Sequence, residues 1–212
     1  MEMGCIALLF LSSVILGLSV AIPIGPISVE MIRQGLKRGF FHGWIVGLGG
    51  MTVDVIMMVL LYFGASAIMM TPVIQQTMWV IGAIFLFYVG YGSIKEASGI
   101  HAGEDGYEKK TWLSSYKNGF LVAVSPGNVI FWLSVFGTLL ADKLGNPDKH
   151  HFAMMAFGVI CGILIHDIAL MLLVTYARKL LNGQWIKRVS VCAGLALMGF
   201  GGMFVWKFIH SL

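Results

Sequence analysis

Charge is scarce in this 212-residue chain: 11% of its residues are Asp, Glu, Lys or Arg, against roughly a quarter in an ordinary soluble domain. Long polar stretches are missing as well, and an apolar share of 58% with a mean hydropathy of +0.87 points to a polytopic membrane protein. Cysteine is sparse. Cys5, Cys161 and Cys192 lie far apart in apolar segments, with no CxxC or Cys/His spacing, so neither a thiolate metal site nor a redox pair is expected and they read as small lipid- or core-facing residues. No Ser/His/Asp set, HExxH or nucleotide loop appears, which disfavours an enzyme and leaves no cofactor to hold. The first apolar segment opens on Met1-Glu2-Met3-Gly4 without a basic flank, so it reads as a retained span and not as a cleaved signal. Basic residues are scattered through the loops, and no nucleic-acid partner is expected.

Six apolar segments are present, near 5–27, 42–65, 72–94, 116–141, 150–175 and 188–209, each close to the roughly 20 residues that cross a bilayer. Six spans leave no room for a soluble domain, so residues 1–212 are expected to form a single transporter-like unit. With both termini outside, the inner loops hold Arg33, Lys37, Arg38, Lys95, Lys109, Lys110, Lys117, Arg178, Lys179, Lys187 and Arg188, leaving only Lys143, Lys149 and Lys207 outside. The positive-inside rule therefore favours N-out, C-out in the cytoplasmic (inner) membrane.

The first span is interrupted by Pro23-Ile24-Gly25-Pro26. Proline removes a backbone donor and clashes with the preceding turn, and glycine adds freedom, so an unbroken helix is not expected; Ser28 to Arg33 would then be a re-entrant or half-helical piece. Irregular backbone at membrane depth is tolerated only where protein or a wet cavity satisfies it, which makes the break a candidate permeation site. A second punctuated stretch, Ser125-Pro126-Gly127-Asn128, opens the fourth span.

These features recur in order. The Pro/Gly break at 23–26 returns at 125–128, Gly49/Asp54 returns as Gly162/Asp167, and Gly-aromatic-Gly at 90–92 returns at 199–201. Three spans per half force opposite orientations, so the expected fold is an all-α membrane protein with six transmembrane helices in a 3+3 inverted repeat and broken helices 1 and 4. Repeat 1 covers about 5–94, a cytoplasmic linker about 95–115, and repeat 2 about 116–209. Sites in this plan lie near the midplane, beside the discontinuous helices.

Only Asp54 and Asp167 lie deep in spans, where a carboxylate costs about 2.5–3.5 kcal/mol on insertion scales. The functional reading has them line a cavity, attract an ammonium group and exchange it for protons in alternating access. The bland reading has them bond to neighbours and hold the halves together. His166 could relay a proton or tune Asp167, but adjacent helical positions point about 100° apart, which turns it toward another face. Glu30 and Arg33 can pair at i, i+3, either as a gate or as a surface pair. Met57, Met58, Met69 and Met70 read as packing or lipid-facing residues, not as a soft-metal path.

Ile22-Pro23-Ile24-Gly25-Pro26, the turn Arg33-Gln34-Gly35-Leu36-Lys37-Arg38-Gly39, then Gly49 and Asp54 resemble the lysine-exporter (LysE/RhtB) translocator family, and Ser125-Pro126 resembles its Asn-Pro motif. An isoleucine separates Pro23 from Gly25 where that family has them adjacent, Ser125 replaces the usual asparagine, and Gly127 stands where a lysine is common. The resemblance implies export of amino acids or related small amines, driven by protons or membrane potential. Its site would be drawn from Pro23, Gly25, Pro26, Asp54, Ser125, Pro126, Asn128 and Asp167, with Glu30, Arg33 and His166 as gate or relay. Expected partners are the substrate, protons and the lipid bilayer, with self-association open. A cadmium-type divalent-cation exporter, using the same acids with Asn128 as oxygen ligands, is the alternative; a membrane enzyme or assembly subunit ranks third.

Overall fold

The computed structural model describes residues 2–63, 71–97, 111–124, 132 and 149–210. Among them only helices occur: α1 (Glu2–Ala21), α2 (Pro26–Arg38), α3 (Phe40–Tyr62), α4 (Pro72–Ala97), α5 (Trp112–Ala123), α6 (Lys149–Leu180) and α7 (Gly183–Ile209). Four are long and apolar enough to cross a membrane, Phe40–Tyr62, Pro72–Lys95, His150–Leu180 and Gly183–Ile209. Ala7–Ala21 and Pro26–Arg38 meet the same test as a pair bent by 77°, which gives up to five spans. The expected fourth span begins in α5 and runs on into residues outside those described, as do Met69 and Met70.

The bend follows from the sequence. Pro23 stops α1, Gly25 takes an extended conformation at φ −108°, and Pro26 starts α2, where its missing donor costs nothing. α2 then turns directly into α3 at Gly39, whose φ of +97° strongly favours glycine; a Cβ there would also meet Arg178 Nη1 at 2.9 Å. Arg178 Nη2 donates to the Lys37 carbonyl at 3.3 Å, tying this turn to the end of α6. Lys37, Arg38, Lys95, Arg178, Lys179, Lys187 and Arg188 consequently gather at one end of the bundle, the one where α2, α4 and α6 finish and α3 and α7 begin.

Without water expulsion to drive them together, helices in lipid associate through close packing, and small residues set how close they come. Glycine seams do this in three places. Gly17 of α1 lies on the Val159 carbonyl of α6, and Gly162 lies on Val14 O and Leu18 N. Gly119 of α5 lies on the Val46 carbonyl of α3, and Gly49 lies on Tyr116 O and Phe120 N. The two sets coincide in register: moving the α1 residues forward by 102 and the α6 residues back by 113 turns the first set into the second. In the third seam Gly90 of α4 and Gly194 of α7 face each other's carbonyls, a Cβ on either meeting the other's oxygen at 2.7 and 2.8 Å. By contrast, Gly92 and Gly199 have open space beside them.

The core forms where these seams meet. Val53, Met57, Met58 and Leu61 of α3 pack with Ala123, Trp132, Val159 and Ile163, so Met57 and Met58 are core residues. α2 lies inside the bundle, with Glu30, Met31, Arg33, Gln34, Gly35 and Leu36 all buried. Helical hydroxyls mostly fold back on the preceding turn, as Ser13 does on Leu9 O and Ser93 on Val89 O. Cys161 is half-buried and Cys192 exposed, both unpaired, as expected of small packing residues.

Candidate functional site

Gly43 and Gly47, one turn apart on α3, open a slot into which other helices press. Gly43 admits Met31 O of α2 and Met171 of α6, while Gly47 admits the Met31 Cε and the Asp167 carboxylate. A Cβ at Gly47 would stand 2.6 Å from Asp167 Oδ2, so only glycine leaves this space for the acid. Asp167 also lies 3.2 Å, through Oδ1, from His166 Nδ1, with the two side chains 10% and 20% exposed. The imidazole therefore does not point to another face: the side-chain torsions of two neighbouring residues bridge the 100° between their backbones.

Asp54 follows Gly47 by seven residues, almost two full turns, so it lies on the same face of α3 and about 10 Å farther along the axis. Its Oδ1 accepts from Trp132 Nε1 at 2.8 Å, and it is buried beside the apolar cluster of Val53, Met57 and Ile163. The two acids therefore form a stripe on either side of the middle of α3. Asp167, from α6, meets this face at Gly47, and Asp54 lies on it almost two turns farther along.

Glu30 and Arg33 are not a surface pair. Glu30 is fully buried and Arg33 is 3% exposed. Arg33 Nε donates to Oε2 at 2.7 Å and Nη2 to Oε1 at 2.6 Å, the forked geometry of a bidentate pair. Glu30 Oε1 also accepts from Gln34 Nε2 at 2.7 Å and from Asn118 Nδ2 at 3.3 Å, and Gln34 Oε1 accepts from Ser115 Oγ at 2.7 Å. This network joins α2 to α5. Tyr116 Oη, donating to Thr52 Oγ1 at 2.8 Å, adds a link from α5 to α3.

Of the residues singled out from the sequence, Pro23, Gly25 and Pro26 form the bend at the N-terminal end of α2, with Pro23 exposed. Ser125, Pro126 and Asn128 lie outside the described residues. Gln34, Ser115, Asn118 and Trp132 were not singled out. Gln34 could have been found as the i+4 neighbour of Glu30, and Ser115 and Asn118 as an i, i+3 polar face on a short apolar helix; nothing in the sequence ties Trp132 to Asp54. Among the described residues no three His, Cys, Asp or Glu side chains come close enough to hold a metal ion.

Known proteins share this sequence pattern. The family model described as "LysE type translocator" matches residues 18–207. Among curated proteins, "Putative amino acid efflux protein YcgF" of Bacillus subtilis is 32% identical over 205 residues, covering 96% of this chain and 98% of that one. "Chemotactic transduction protein ChpE" of Pseudomonas aeruginosa is 23% identical, covering 92% and 96%, and "Arginine exporter protein ArgO" of Serratia proteamaculans is 23% identical, covering 93% and 96%. No solved structure matches.

Proposed function

The chain belongs to the LysE type translocator family, and from that premise we propose that it is a secondary transporter exporting amino acids or related small amines by proton-coupled alternating access. The carrying observation is the pair of buried acids, Asp54 on α3 and Asp167 reaching the same face of α3 from α6, in a bundle with a bent first span. Buried acids at this depth are expensive and are the usual markers of ion and proton pathways. They supply charge for the substrate amine, and the freed backbone around Pro23, Gly25 and Pro26 supplies polar groups along the substrate's path. Ser125, Pro126 and Asn128 are assigned the matching role in the second half. His166, in contact with Asp167, is assigned to the proton path.

The 3+3 inverted repeat is part of the same reading. Its support is the shared register of the α1–α6 and α3–α5 seams: the displacement of 113 that relates Val46 to Val159 and Gly49 to Gly162 also relates Asp54 to Asp167. α1 lies parallel to α6 and α3 parallel to α5, as halves of opposite orientation require. For the third helix of each half the facing glycines favour Gly90 with Gly194, a displacement of 104, over the match of 90–92 with 199–201. Lys and Arg gathered at one end of the bundle support N-out, C-out placement in the cytoplasmic membrane.

Proteoliposomes loaded with lysine, arginine, threonine or homoserine, and separately with cadmium, test this. Efflux of one or more amino acids, lowered in Asp54→Asn and Asp167→Asn, is the expected result. Both variants transporting like the parent would overturn the two-acid mechanism, and movement of cadmium alone would transfer the function to metal export.

A further inference from the structure

The bundle buries a third carboxylate, that of Glu30, and holds it on Arg33. A buried ion pair loses much of its Coulomb energy to desolvation, and apolar residues of similar volume often serve stability as well or better. Keeping such a pair on α2 therefore asks for a use beyond stability, and two observations indicate one.

The first is the fork. Arg33 engages both Glu30 oxygens, and this planar two-point geometry is the one by which a guanidinium recognises any carboxylate, including that of a small molecule. The second is what else depends on Glu30. Its Oε1 is the acceptor for Gln34 and Asn118, so the carboxylate on Arg33 also straps α2 to α5. Met31, the next residue along, reaches the Gly47 slot that holds the Asp167 carboxylate. The cationic and anionic groups thus lie on either side of one short helix.

Resting on the reading of this chain as an amino-acid exporter, we propose that Arg33 binds the α-carboxylate of the substrate and that Glu30 is a built-in competitor which the substrate displaces. One carboxylate replaces another, so Arg33 never stands uncompensated. When Glu30 leaves, Asn118 and the Gln34 amide lose their shared acceptor, so Ser115–Gln34 is left as the side-chain bond between α2 and α5, and the loosened strap eases opening from the end of the bundle where the basic residues gather. Glu30 occupies Arg33 whenever no substrate is present, so an amine lacking a carboxylate cannot open the strap. The site selects amino acids over simple amines.

Transport of lysine and arginine against their decarboxylated counterparts, cadaverine and agmatine, reads this directly in proteoliposomes. The parent is expected to prefer the amino acid. Glu30→Gln weakens the competitor, and the half-saturating concentration of the amino acid should fall about tenfold, the scale of one charge-assisted hydrogen bond, with that of the amine unmoved. The double variant Glu30→Gln/Arg33→Gln, which keeps an uncharged pair of similar shape, should lose the preference. Asn118→Ala leaves the ion pair intact, guards against poor folding of the charge variants, and should lower the half-saturating concentration by loosening the strap. An unchanged preference in the double variant, or unchanged half-saturation in both Glu30→Gln and Asn118→Ala, would overturn the inference while leaving export standing. A parent that moves no amino acid overturns both.

Discussion

Asp54 and Asp167 follow Gly49 and Gly162 by the same five residues, yet their surroundings differ. Asp54 accepts from the Trp132 indole within an apolar cluster whose members are nearly all fully buried. Asp167 touches a titratable partner, His166, and sits in a slot kept open by Gly47. An indole donates one hydrogen bond and never changes charge, whereas an imidazole both gives and takes a proton. In the proposed cycle this contrast assigns proton exchange to Asp167 and a fixed geometry to Asp54.

The largest test of that contrast is to neutralise each acid in turn. Asp167→Asn should lower amino-acid efflux about a hundredfold, the scale of a lost buried charge contact, and Asp54→Asn about tenfold or less, because the asparagine Oδ1 still accepts from the Trp132 indole and only the charge is removed. Equal losses would erase the distinction. Next come the seams that the two halves share. Gly17→Ala and Gly119→Ala each drive a methyl into a facing carbonyl, of Val159 and Val46, and each should lower stability in detergent by about 1–3 kcal/mol, the usual cost of overpacking. Clearly unequal shifts would break the correspondence between the halves.

The partners of the acids give smaller effects. Trp132→Phe removes the donor from Asp54 and should cost about 1–3 kcal/mol of stability while leaving substrate preference unchanged. His166→Asn should change efflux about threefold or less at fixed pH, as expected of a partly exposed pair, but should flatten its dependence on pH. A dependence on pH identical to the parent's would remove His166 from the proton path.

Much of this was legible in the sequence because it rests on local chemistry. Pro23, Gly25 and Pro26 fix the bend whatever packs around them, and the apolar runs fix α3, α4, α6 and α7 to within a few residues of their expected ends. The end of α5 at Ala123, just before Ser125-Pro126, was legible from the second Pro/Gly stretch in the same way. Burial of Glu30 and Arg33 was not legible: spacing shows that two side chains can meet, but only the packing of α2 inside the bundle shows that they meet away from water. The His166–Asp167 contact is not legible from backbone periodicity, which fixes where a side chain starts and not where its ring ends. Gln34, Ser115 and Asn118 are polar residues on otherwise ordinary helices, and their network exists only once α2 and α5 are brought together.

The central claim is that export is driven through Asp167. The most direct measurement is efflux of a transported amino acid from loaded proteoliposomes with and without acid imposed outside, for the parent and for Asp167→Asn. The proton gradient is expected to speed efflux by the parent and to have no effect on the variant, even where the variant still exchanges substrate across the membrane at equal pH. An Asp167→Asn protein whose efflux answers the gradient as the parent's does would contradict it.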